Sequence, residues 1–211
     1  MIKARLGEDF DAVVHRLFPF VRAIRVAPDA LTLTGAGVSL LAAWAFSLDR
    51  SFVAGLLLMF AGFFDLIDGV VARQQGVSSA AGAFFDSSID RLSDLLIFGG
   101  IAVARAHAAD PLGAALVLWA ITASVMTSYT RASAERKLHS LRVGFMERGE
   151  RFGVLILGAL TGFVMSAVVV VAAGATWTAV QRILEGRRLL RAFEETGVDP
   201  TRPVPETAHG G

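Results

Sequence analysis

Four aspartates are the residues best placed to do chemistry. The chain reads Asp65-x2-Asp68-Gly69-x2-Ala72-Arg73, then eight residues, then Gly82-x3-Asp86-x3-Asp90, in otherwise apolar surroundings. Asp65 and Asp68 are three apart, and Asp86 and Asp90 four apart, so each pair shares one face of its helix. Brought together, the two pairs repel one another and lose hydration unless a cation joins them. Hard oxygen donors suit Mg2+ or Mn2+, and several carboxylates around one or two such ions suggest phosphate chemistry. Gly69, Ala72 and Gly82 leave room for a ligand against the backbone, and Arg73 suits a phosphate. Singly, small residues in apolar helices serve close packing, and a lone carboxylate suits a transported cation or proton. Together the residues favour an enzyme, with a cation-coupled transporter as the alternative and a non-catalytic membrane scaffold as the third reading.

These residues must be positioned by membrane helices. The chain has 211 residues, 54% of them hydrophobic, with a mean hydropathy of +0.58 and several long uncharged runs. That argues for one polytopic membrane domain, because a soluble core cannot absorb apolar residues on every face of each helix. Cysteine is absent, which excludes disulfides and thiolate sites. The charges spread through residues 1–25 exclude a signal peptide of ordinary design. Leu6, Phe10, Val13, Leu17, Val21 and Ile24 recur at helical spacing and predict an amphipathic interfacial helix over residues 1–26.

Uncharged runs predict spans from Leu31 to Leu48, from Ser51 to about Ala72, from about Ala83 to Ala104 and from Leu112 to Thr130. The 30 uncharged residues from Phe152 to Gln181 make one helix of about 45 Å, too long for a hydrocarbon core of about 30 Å. Two helices fit if they extend outward to Arg148 and Arg151 at one end and Arg182 at the other, with a turn near Gly162. The fold class expected is therefore all-α and integral to the membrane, with six transmembrane helices over residues 27–193. With the N-terminus in the cytoplasm, all of the 20 Lys and Arg residues except Arg50 and Arg105 fall on the inner side. The chain is thus expected to be a multi-pass protein of the cell membrane, both termini and the aspartates facing the cytoplasm. Residues 194–211 are expected to form a disordered tail.

Arg131, Arg148, Arg151 and Arg182 come from separate segments yet project to the same side. Such guanidinium groups near a metal site suit a phosphorylated acceptor, although each alone reads as an ordinary inner-side cation. Asp94, one turn past Asp90, is read as solvated, with orientation of Arg91 as the alternative.

The aspartate pattern resembles, at every fixed position, the signature of the CDP-alcohol phosphatidyltransferases. That resemblance implies a six-helix membrane enzyme, commonly dimeric, that uses Mg2+ or Mn2+ to displace CMP from a CDP-linked lipid with an alcohol. It implies two ions held by Asp65, Asp68 and Asp86, with Asp90 as general base and additional metal ligand. Asp68, Gly69, Ala72, Arg73 and Gly82 match positions of the CDP-lipid site. The stretches Ala27 to Thr32, Ser128 to Glu135, Glu147 to Arg151 and Val180 to Arg182 look like those of phosphatidylinositol phosphate synthases and their archaeal relatives. This adds Asp29 and Thr32 to the CDP-lipid residues and assigns Arg131, Arg151 and Arg182 to the acceptor phosphate. Arg131 stands where lysine is common and Gly149 where proline or alanine is common; neither change removes a charge. The expected partners are CDP-diacylglycerol or a related CDP-lipid, the bilayer, a second copy of the chain and a phosphorylated polyol, with no nucleic acid. Inositol 1-phosphate is the expected acceptor, and glycerol 3-phosphate, as in phosphatidylglycerophosphate synthases, the alternative.

Overall fold

The computed structural model describes residues 27–74 and 79–202. The expected N-terminal amphipathic helix and residues 203–211 lie outside this range. Six helices account for most of the described chain: α1 Pro28–Ser47, α2 Ser51–Gln74, α3 Ala80–His107, α4 Pro111–Ala134, α5 Arg148–Thr161 and α6 Val164–Thr196. Four of them, α1, α2, α4 and α6, contain stretches long and apolar enough to cross a membrane. The other two differ for different reasons. Charged residues interrupt the first half of α3, and α5, with 14 residues, is only about 21 Å long.

Local chemistry explains the boundaries. Pro28 and Pro111 begin helices, where a missing N–H costs nothing. Ser79 and Asp110 accept hydrogen bonds from Gly82 and Gly113 at 3.0 and 2.8 Å, capping α3 and α4. Gly162 ends α5 at φ 81°, a conformation that favours glycine, so the long uncharged run breaks where the sequence predicts a turn. At the far end the structure departs from expectation: α6 continues past Glu194 to Thr196 and closes on Gly197 at φ 67°. Asp199 then accepts from the His139 backbone N–H at 2.6 Å, tying this segment to the loop after α4. Residues 194–196, expected in the tail, are thus helical, because two helix-forming glutamates and a glycine cap extend the helix.

The principal packing pairs place the helices in a closed ring, in the order α1, α2, α5, α6, α4, α3. Thus α2 and α3 flank α1 instead of packing side by side, and they converge near their aspartates. The α1–α3 contact is close enough that a Cβ on Gly100 would lie 2.1 Å from the Ala43 carbonyl oxygen. Inside the ring, Phe46, Leu58, Phe98, Leu155 and Val168 are buried in one cluster. On its outer surface Trp44, Phe60, Leu118 and Leu157 are exposed, as lipid-facing residues would be.

Candidate active site

The last turns of α2 carry Asp65 and Asp68, and the first turns of α3 carry Asp86 and Asp90. Ligand oxygens of Asp65, Asp68 and Asp86 lie within 4.8 Å of one another. Three carboxylates so close form a set that could hold a metal ion. Asp86 Oδ1 is buried and accepts no hydrogen bond among the described residues, so it retains an unmet demand for a positive partner. The set of hard oxygens fits Mg2+ or Mn2+. Asp68 is itself oriented: the Thr32 hydroxyl of α1 donates to its Oδ2 at 2.8 Å, and both residues are buried. A narrow cleft continues from these residues past Ser39 and Ser93 toward Asp90.

Asp90 stands outside this trio. Its Oδ1 is 3.0 Å from Arg148 Nη1, and Arg148 also bonds Asp65 and reaches Asp94 Oδ1 at 3.4 Å through Nε. The guanidinium is stacked over the Phe152 ring, 4.6 Å from its centroid. Arg148 thus belongs to the aspartates, apart from the other three arginines with which the sequence groups it.

Asp94 corrects the sequence reading. It is buried, not solvated, and bonds Arg151 Nη2 at 2.8 Å as well as Arg148. The reason is helical period: four residues past Asp90 it points to the same face, toward the first turn of α5. Arg151, 2% exposed, also donates to Thr127 Oγ1 at 3.2 Å and to the Met146 carbonyl at 3.3 Å. Arg182, 3% exposed, donates to the Thr127 carbonyl at 2.7 Å, the Val143 carbonyl at 2.9 Å and Glu147 at 2.8 Å. Arg131 bonds Glu135 at 3.1 Å and the same Glu147 oxygen at 3.0 Å. Polar contacts therefore run without a break from the aspartates, through Arg148 and Asp94, to Arg151, Thr127, Arg182, Glu147 and Arg131. Arg182 also lines an open groove of about 400 Å³ with Tyr129 and Ser133, within the size range of small-ligand sites.

Thr32 joins the carboxylate trio through Asp68. Asp29 lies one turn earlier on α1 and is exposed. Gly69, Ala72 and Arg73 continue α2 beyond Asp68, and the Gly82 N–H is the one capped by Ser79. Sequence reasoning missed Asp94, Thr127 and Glu147 as partners. Only Asp94 carried a usable signal, its spacing from Asp90; Thr127 and Glu147 bond residues 16 to 55 positions away along the chain.

Comparison with known proteins agrees with this geometry. A family model described as CDP-alcohol phosphatidyltransferase matches residues 25–182. An archaetidylinositol phosphate synthase of Pyrococcus horikoshii is 34% identical over 183 residues, covering 84% of this chain and 92% of the relative. A phosphatidylinositol phosphate synthase of Corynebacterium glutamicum is also 34% identical, over 76% of this chain and 78% of the relative. The crystal structure of the Mycobacterium tuberculosis phosphatidylinositol phosphate synthase with CDP-DAG bound superposes with a TM-score of 0.70 at 26% identity. It covers 86% of this chain and 94% of that one. The same enzyme in complex with manganese and citrate gives a TM-score of 0.73 at 28% identity, over 80% and 88%.

Proposed function

The chain belongs to the CDP-alcohol phosphatidyltransferase family, and from that premise we propose that it transfers a phosphatidyl group from a CDP-linked lipid to inositol 1-phosphate, releasing CMP. Family membership sets aside the transporter reading. The carrying observation is the continuous polar path from a three-carboxylate cation site to three linked arginines, two of them buried. Such a path brings a diphosphate and a second, separate phosphate within one active site.

Asp65, Asp68 and Asp86 would hold Mg2+ or Mn2+, which when bound supplies charge stabilisation for the diphosphate and its leaving CMP. Thr32 fixes the carboxylate of Asp68. Asp29, Gly69, Ala72, Arg73 and Gly82 are assigned to the CDP-lipid. Asp90 takes the proton of the acceptor hydroxyl as that oxygen bonds to the lipid-linked phosphorus and the bond to the CMP oxygen breaks. Arg131, Arg151 and Arg182 hold the acceptor's phosphate. The six helices are placed across the bilayer with this site facing the cytoplasm. The exposed apolar surface, the four long apolar helices and the distribution of Lys and Arg support that placement. The enzyme is expected to work as a homodimer.

The names of the relatives favour an inositol phosphate acceptor, whereas the arginines read only its phosphate. The deciding experiment supplies purified protein with CDP-diacylglycerol and Mg2+ or Mn2+. Inositol 1-phosphate, glycerol 3-phosphate, free inositol and serine are then offered separately and CMP is measured. Release with inositol 1-phosphate alone is the expected result. Release only with glycerol 3-phosphate would reassign the product, and release only with an unphosphorylated alcohol would remove the arginines from acceptor binding.

A further inference from the structure

Glu147 has no place in the mechanism above, yet its carboxylate sits between two of the arginines assigned to the acceptor. One oxygen, Oε1, accepts from Arg131 Nη1 at 3.0 Å and from Arg182 Nη2 at 2.8 Å. These arginines are already engaged. Arg131, Arg151 and Arg182 pair with Glu135, Glu147 and Asp94, the last shared with Arg148. A phosphate dianion would meet a site whose strongest donors already hold carboxylates.

Of the three carboxylates, Glu147 is the one free to leave. Its side chain is 49% exposed, against 29% for Glu135 and 11% for Asp94. It occupies the N-cap position of α5, but its side chain makes no capping hydrogen bond, so the helix start does not depend on it. Its departure also leaves both arginines in place. Arg182 retains the carbonyls of Val143 and Thr127, and Arg131 retains Glu135.

We propose that Glu147 is an internal counter-ion that the acceptor's phosphate displaces, so that it determines acceptor specificity by admitting an anion in exchange for itself. A neutral polyol offers only uncharged hydroxyl acceptors in place of the carboxylate, whereas a phosphate offers three charged oxygens. The inference rests on the reading that the arginines receive the acceptor phosphate. It predicts the sign of a change. A group that must vacate its position lowers the acceptor's apparent affinity, while a group that merely props the arginines raises it.

The experiment measures CMP release by wild type and Glu147→Gln against acceptor and against CDP-lipid, with inorganic phosphate as a competitive probe. If Glu147 holds the arginines about nine-tenths of the time, Glu147→Gln lowers the acceptor KM and the phosphate Ki by roughly tenfold. The KM for CDP-lipid is expected to stay constant, which also reports an intact fold. Glu147→Asp, keeping the charge on a shorter stem, is expected to fall between the two. An unchanged or raised acceptor KM in Glu147→Gln overturns the proposal. Failure of the underlying reading looks different: Arg131→Ala in the otherwise native chain would leave acceptor KM and phosphate inhibition unchanged.

Discussion

Asp94 Oδ2 on α3 accepts a 2.8 Å hydrogen bond from Arg151 Nη2 on α5, and both residues are buried. Since Asp94 also reaches Arg148, which bonds Asp65 and Asp90, one carboxylate links the aspartate-bearing helices α2 and α3 to the arginine side of the ring. Helices α3 and α5 are not principal neighbours in that ring. Charge pairing across its interior joins them near the site, beside the apolar cluster to which both contribute.

Asp94→Asn keeps the shape and removes the charge. Breaking a buried pair from one side typically costs roughly 3–5 kcal/mol, so the thermal midpoint in detergent should fall clearly. The acceptor KM should rise more than the CDP-lipid KM, because Arg151 loses the bond that aims it. Combining Asp94→Asn with Arg151→Met removes both charges and should recover part of the stability without restoring the acceptor KM. Recovery of both parameters would mean that Arg151 does not contact the acceptor.

Asp86 offers a test of the cation site that does not depend on turnover. Its buried Oδ1 lacks a hydrogen-bond partner among the described residues and lies in a carboxylate trio. Mn2+ should therefore stabilise the wild type, by about 2.7 kcal/mol at a hundredfold excess over its dissociation constant. Asp86→Asn should abolish that shift while slightly raising the metal-free midpoint, since one of three mutually repelling charges is gone. A variant still stabilised by Mn2+ to the wild-type extent would place the ion elsewhere.

Asp90 lies outside the trio and shares Arg148 with Asp65. Asp90→Asn should lower single-turnover CMP release by about 10²–10⁴-fold, the usual contribution of a general base, while CDP-lipid binding persists. A near-normal rate would remove Asp90 from the proton transfer.

The parts of this site that could be read in the sequence share one property: they are periodic within a single helix. Asp65 and Asp68, or Asp86 and Asp90, declare a common face by spacing alone, and Gly162 declares a turn because 30 uncharged residues cannot form one span. Asp94 has the same period, yet spacing cannot say whether a face meets solvent or an arginine. The link from Glu147 to Arg131 and Arg182 was invisible for a stronger reason. Glu147 lies between helices, where no period constrains it, and its partners belong to α4 and α6. The flanking of α1 by α2 and α3 was equally hidden, because a short connection suggests neighbours and leaves the third helix unspecified.

Thr32 decides between two roles that the sequence merges. The family resemblance assigns it to the CDP-lipid, whereas its hydroxyl donates to Asp68 Oδ2 at 2.8 Å, behind the cation site. Thr32→Val is nearly isosteric and removes that donor. Losing a group that orients a metal ligand typically weakens metal affinity by roughly 10–100-fold, so half-maximal CMP release should require correspondingly more Mn2+. Saturating metal should then restore most of the rate, and Thr32→Ser, which keeps the hydroxyl, should behave almost as wild type. If metal dependence is unchanged and the CDP-lipid KM rises instead, the hydroxyl serves the nucleotide directly and Asp68 is held by other contacts. The two outcomes separate because Thr32 sits on α1, which contributes no aspartate to the trio, and meets Asp68 through its hydroxyl.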